Sequence, residues 1–276
     1  MTVTAESRTV DLDSRRNVPG SRPGFSALLH AEWIKFWSVR STGWSMVAMF
    51  VLGAGLTTLI CLAIAPEFAT GEVGEAPGSF LTWGMMFAQI AAVVLGMLIV
   101  TSEYGTGMIR ATLAATPRRG AVLAAKAVVL ATALLVVGTL TAFAGYLGGN
   151  WFLDREGLGL ALSDDGVLRA LVGSGLYVAG LGLLSAAVGL LLRHTAAALS
   201  LVLALVFVVG NMAFLLPGAW GEWVAKLLPG NAGSAVASVV SFNPESLAPW
   251  TGFAVFCAEV VAIGAVAWWS FARRDA

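Results

Sequence analysis

Residues 167–192 read VLRALVGSGLYVAGLGLLSAAVGLLL, with Arg169 as the one charge, close to the N-terminal end. The run has no apolar–polar alternation, so it does not read as a half-buried or barrel strand. It is long enough to cross a hydrocarbon core of ~30 Å as a helix, which takes about 20 apolar residues. Within it Gly175, Ala179, Gly182, Ala186 and Gly189 recur in steps of four and three. That spacing puts small residues along one seam of a helix and predicts close packing against another helix in lipid.

Five further runs share this character: Trp44–Ile64, Trp83–Thr101, about Val122–Leu147, Ala196–Leu216 and Thr251–Ala272. The whole chain is 58% hydrophobic and 12% charged, about half the charge of an ordinary soluble domain. Lipid must therefore solvate most of it, and the expected fold is an all-α membrane protein of six transmembrane helices. Residues 24–276 are expected to form one membrane domain, behind a disordered polar leader, 1–23. The first apolar run begins only near Trp44, so no cleavable signal segment is expected.

Sidedness follows from Lys and Arg. With the N-terminus inside, only Arg155, Arg169 and Lys226 fall outside; the other thirteen of the 16 basic residues fall inside. The positive-inside rule then places both termini in the cytoplasm, with the plasma membrane as the expected location. Trp44, Trp83, Trp151 and Trp250 lie at or near span ends, as interfacial anchors do. The formal net charge of +0 argues against nucleic acid as a partner.

Three connecting segments carry information. From Gly24, the residues Phe25, Leu28, Leu29, Trp33, Phe36 and Trp37 recur near helical spacing, with Glu32, Lys35 and Arg40 on a polar side. This predicts an amphipathic helix in the inner interface, with Trp33, Lys35, Phe36 and Trp37 as its marker residues. The stretch 102–119, SEYGTGMIRATLAATPRR, turns at Gly105 and Gly107, allows about two helical turns over 109–115, and ends at Pro117. Residues 217–250 are too apolar for a solvated linker and predict short re-entrant helices between spans five and six.

Chemistry is sparse. Lys35, Lys126 and Lys226 follow no Gly-rich phosphate loop, so the chain is not expected to hydrolyse nucleotide or act as an enzyme by itself. His30 and His194 stand alone, and Cys61 and Cys257 read as packing residues; no metal or catalytic set is expected. Glu259 lies deep in the sixth run, where a carboxylate is costly and marks a candidate translocation path, together with Gln89 and Asn211.

The loop Glu103-Tyr104-Gly105-Thr106 through Thr116-Pro117-Arg118-Arg119, followed by Lys126, resembles the coupling segment of permease subunits of type-2 ABC exporters, especially actinobacterial ones. Gly105 follows the aromatic directly, one residue short of that family's acidic-aromatic-x-Gly-Thr pattern. Weaker similarities are Glu32-Trp33-Ile34-Lys35 and the turn 191–198. The resemblance covers about residues 25–274. It implies that Glu103, Tyr104, Gly105, Thr106, Arg110, Pro117, Arg118 and Arg119 form a coupling loop seated on a cytoplasmic ATPase subunit, with Glu103 as the charged contact at its base. It also implies a second permease chain, identical or not, and ATP with Mg on the partner rather than on this chain. The cargo expected is amphipathic or lipophilic. Alternatives are an ion-gradient-driven secondary transporter and a non-transporting anchor or sensor with a permease-like fold; scarce intramembrane charge and the lack of an inverted repeat weigh against the first.

Overall fold

The computed structural model describes residues 24–71, 74–105, 107–108, 119–212, 215, 219–240 and 246–273. Among these it is all helical, with no strand. Helix α1 is Phe25–Ser38. Val39, in an extended conformation, breaks it from α2, Arg40–Thr70. A turn at Pro77–Phe80 leads into α3, Met85–Gly105. Then come α4, Arg119–Arg155, α5, Val167–Leu192, and α6, Thr195–Val209, which runs on through Gly210–Met212. Two short helices, α7 (Ala219–Leu227) and α8 (Pro229–Ser234), precede α9, Pro249–Arg273.

Among the described residues, five helical segments are long and apolar enough to cross a membrane: Arg40–Thr70, Pro77–Gly105, Arg119–Arg155, Val167–Leu192 and Pro249–Arg273. They coincide with five of the six expected runs but extend beyond them, because a helix need not stop where the apolar run stops. At 37 residues α4 is about 55 Å long and outreaches a hydrocarbon core by several turns. The fifth expected run differs. Its described helix reaches Met212, with residues 213–214 and 216 outside the described residues, and residues 204–209 are π-helical.

Helix α5 is the centre of the bundle, packed on α3, α4 and α9. Its small residues let backbones meet. A Cβ on Gly175 would strike Thr139 and the Leu135 carbonyl of α4; one on Gly182 would strike Leu134 of α4. Gly189 faces Met97 and Thr101 of α3, and Gly96 of α3 lies against the Gly182 carbonyl. Ala179 is buried, while Ala186 lines a cleft beside α9. Ser185 ties the same crossing, donating to the Val93 carbonyl of α3 at 2.6 Å.

Helix α2 joins by a second close crossing. Gly84 abuts the Gly53 carbonyl and donates its N–H to Thr57 Oγ1 at 3.0 Å, while Gly145 and Gly149 of α4 meet Thr57 and Cys61. The π-helical turn Val51–Gly55 lies at this crossing. Cys61 is buried, as expected of a packing residue, but Cys257 is exposed on α9. Exposure on α9 is general: Trp250, Val261, Val266, Trp268 and Trp269 are all exposed.

The segment before α9 is held by α5. The Arg169 guanidinium donates to the carbonyls of Ala235 (3.4 Å), Val236 (3.3 Å) and Val239 (3.3 Å), which lie at the C-terminal end of the turn Ala235–Ala237. A cation there satisfies carbonyls the short helix leaves open.

The close crossing makes a prediction. Gly96→Ala should destabilise the chain by about 1–3 kcal/mol, because its Cβ meets backbone that cannot rotate away. Gly43→Ala, whose Cβ would meet nothing within 4 Å, should be neutral or stabilising. Thermal unfolding of both variants in detergent checks the contrast.

Candidate functional site: a buried four-charge cluster

Helix α1 presents an unexpected face to the bundle. Glu32 was expected on the polar side of this helix; it is buried, at 8% exposure, with Phe36 at 3%. Trp33 and Trp37 point outward, their rings edge-to-face at 5.8 Å. The inversion has a physical cause: a carboxylate turned into the bundle is stabilised by the opposite charges it meets there.

Glu32 meets three charges from two helices. Lys126 of α4, 4% exposed, donates to Glu32 Oε2 and to Glu103 Oε1, both at 2.7 Å. Glu103, in the last turn of α3, is 2% exposed. Lys35 donates to the same Glu103 oxygen and lies 3.6 Å from Glu32 Oε1. Two carboxylates and two ammonium groups therefore close a net-neutral cluster joining α1, α3 and α4. Burial works against the Lys35 charge, but its hydrogen bond and Coulomb attraction to Glu103, then those to Glu32, outweigh it and hold its pKa above the ordinary lysine value of 10.5. A raised lysine pKa contributes stability that is fully present below the unfolded value and is lost only as pH rises through the folded one. The Lys35 contribution therefore stays whole across neutral pH.

The cluster sits where α3 leaves the bundle. Next to it, Arg193 at the α5–α6 corner lies over the Tyr104 ring, 5.1 Å from its centroid. Arg193 itself is left-handed (φ 53°) and ends α5, and His194 caps α6 by accepting from the Ala197 N–H at 3.2 Å. His194 thus has a structural role. Gly105 ends α3, and Arg119 opens α4. Thr106, Arg110, Pro117 and Arg118, and the short helix expected over 109–115, lie outside the described residues. Glu103 was expected as a contact for a partner; within the chain its carboxylate accepts from Lys35 and Lys126.

The remaining expected residues are elsewhere. Gln89, buried on α3, faces a polar cavity at the Trp83 end of the bundle. Glu259 is half-buried on α9, with Oε2 unpaired among the described residues. The Asn211 side chain lies outside the described residues. The structure does not bring these three together with the cluster. Sequence reasoning missed Glu32 and Lys126 as partners. The available signal was Lys126 itself: a lysine in the apolar run 121–130 requires a buried carboxylate nearby.

Comparison with known protein families, curated proteins and solved structures gives no match to this chain. The resemblance to exporter permeases thus rests on the sequence motifs alone.

Breaking the cluster from one side leaves an uncompensated buried charge. Lys126→Met should cost about 3–5 kcal/mol, and adding Glu103→Gln should recover part of that loss. Lys35→Met, at the more exposed corner, should cost less. Thermal unfolding of the single and double variants gives the coupling directly; additive losses would contradict the cluster.

Proposed function

We propose that the chain is the membrane permease subunit of an ATP-binding-cassette exporter. A separate cytoplasmic ATPase, carrying ATP and Mg, drives export of an amphipathic or lipophilic cargo through two permease chains in the plasma membrane. The observation that carries this reading is the cluster at the base of the 103–119 loop. A loop that receives force from a partner needs roots that do not yield. Here both roots, the end of α3 and the start of α4, are ion-paired to each other and to α1. Movement of the loop is then delivered to the bundle as displacement of whole helices rather than absorbed by bending.

On this reading α6 is the sixth crossing, which puts both termini in the cytoplasm. Its start neighbours Tyr104 through Arg193, while Val206 and Phe207 near its end share a cavity with Trp83, at the opposite end of α3. The helix therefore runs along most of a spanning neighbour. Helices α7 and α8 are then the external re-entrant elements.

The test is co-purification with a cytoplasmic ATPase of the ATP-binding-cassette class. Replacing 106–118 by a Gly-Ser linker should abolish ATPase binding and leave the spans folded; retained binding with substrate-responsive hydrolysis would contradict the assignment. For Glu259, transport by Glu259→Gln should fall while thermal stability holds. Unchanged transport would remove Glu259 from the path.

A further inference from the structure

The two short helices before α9 sit differently. Helix α8 is enclosed: Pro229, Gly230, Ala232 and Gly233 are buried, and Gly252 of α9 lies against the Ala232 carbonyl. Helix α7 packs on α6, α8 and α9 yet leaves its largest side chains outside. Trp220 is 79% and Trp223 59% exposed, and Leu227 is exposed beside them.

At about 100° per residue, the turns of α7 divide into three arcs. Gly221, buried, and Ala225, half-buried, face the bundle. Trp223, Leu227 and Trp220 fall within about 60° of one another on a second arc. Glu222 and Lys226, one turn apart, form a third, and Lys226 Nζ lies 5.8 Å from the centroid of the Trp223 ring. A helix between protein and water needs two faces, one packed and one polar. A third face, apolar and exposed, calls for a second solvent.

The other tryptophans identify that solvent. All ten in the chain are exposed. Trp33, Trp37, Trp44, Trp268 and Trp269 lie at the end of the bundle that holds the ion cluster, where Trp268 meets Gly120 at the start of α4. Trp83, Trp151 and Trp250 lie at the opposite end. Along α9, Trp250 and Trp268 are eighteen residues apart, about 27 Å of helix, close to the ~30 Å of a hydrocarbon core. Two belts at that separation are what the two headgroup layers of a bilayer select. Helix α8 follows α7 after Leu228 and meets α9 at Gly252, two residues past Trp250. Trp220 and Trp223 therefore continue the belt to which Trp250 belongs.

We propose that α7 lies flat in the headgroup layer at the Trp83 end, with Trp220, Trp223 and Leu227 seated among the lipids of that leaflet and Glu222 and Lys226 turned to water. Of the two short helices, only α8 then enters the bundle. The bilayer also holds α8 in place through α7, since Asn231 Nδ2 of α8 donates to the Ala225 carbonyl of α7 at 2.9 Å. The proposal rests on the chain lying in a bilayer and not on the exporter reading, so either can fail alone.

Spin-label accessibility tests it. The full chain carrying Cys257→Ala, with the buried Cys61 left in place, receives one label at a time through Trp220→Cys, Trp223→Cys, Leu227→Cys or Glu222→Cys. Each is reconstituted in vesicles of phosphatidylcholine and phosphatidylglycerol and exposed to oxygen, which concentrates in lipid, and to a water-soluble nickel chelate. Oxygen should dominate at 220, 223 and 227, and nickel at 222. Nickel dominance at all four would leave α7 in water and overturn the proposal. Oxygen dominance at all four would sink α7 into the hydrocarbon and overturn it as well. Exclusion of both reagents from 220, 223 and 227 would show a protein cover, such as a second copy of this chain, and would equally overturn it. A second variant checks the tryptophans themselves. With Trp220→Ser and Trp223→Ser, the label at Leu227→Cys should shift toward nickel; an unchanged oxygen preference would contradict their anchoring role. Thermal unfolding of that variant in detergent should match the parent, because neither ring is buried in the bundle.

Discussion

The arrangement at one end of the bundle depends on four charges sharing one small volume. Glu32, Lys35, Glu103 and Lys126 come from three helices, and none of these side chains is well solvated. Isolated, each would cost several kcal/mol in such surroundings; together they are neutral, and Glu103 Oε1 accepts from both lysines. The cluster adds little net stability over an apolar core of the same shape. Its effect is on register. α1 can dock only where Glu32 reaches Lys126, and α3 can end only where Glu103 reaches both lysines.

That constraint explains why α1 lies as it does. Ion pairing turns Glu32 inward, and Trp33 and Trp37, on the opposite side, are left facing out. An amphipathic helix in water buries its apolar face; this one buries a carboxylate and one phenylalanine and shows tryptophans. The α1–α2 break at Val39 lets α1 take this docking while α2 departs along the bundle.

Much of the architecture was legible in sequence because apolar length is a direct consequence of lipid as solvent. Residues 167–192 mark one whole helix to the residue, and the small-residue steps lie at contacts with α3 and α4. The fifth run was less legible: composition shows that 196–216 is apolar, but not that its backbone loosens to π geometry over 204–209. The charge cluster was legible only in part. Lys126 and Glu103 were visible as residues around a loop, yet the pairing of Lys126 with Glu32 spans 94 positions, and no periodicity connects residues that far apart. The polarity of α1 was misjudged for a related reason. Helical spacing reports which residues share a face, but not whether that face meets water, lipid or another helix.

The two features with chemical content, the ion cluster and the polar cavity, lie on the same helix. Glu103 is in the last turn of α3 and Gln89 in its second, fourteen residues away, about 21 Å along an unbroken helix. Between them α3 is locked to α5 by Gly96 against Gly182 and by Ser185 on the Val93 carbonyl. So close a backbone crossing resists sliding, since any shift drives Cβ-less surfaces onto side chains that do not fit. α3 and α5 should therefore move as one body, and the α1 docking that fixes Glu103 also fixes where Gln89 sits relative to Tyr177 of α5 on the cavity wall. Displacement at the cluster would then leave the α3 and α5 walls intact and act on the parts not so locked: the α6 π-helical stretch and the short α8, which close the other side of the cavity.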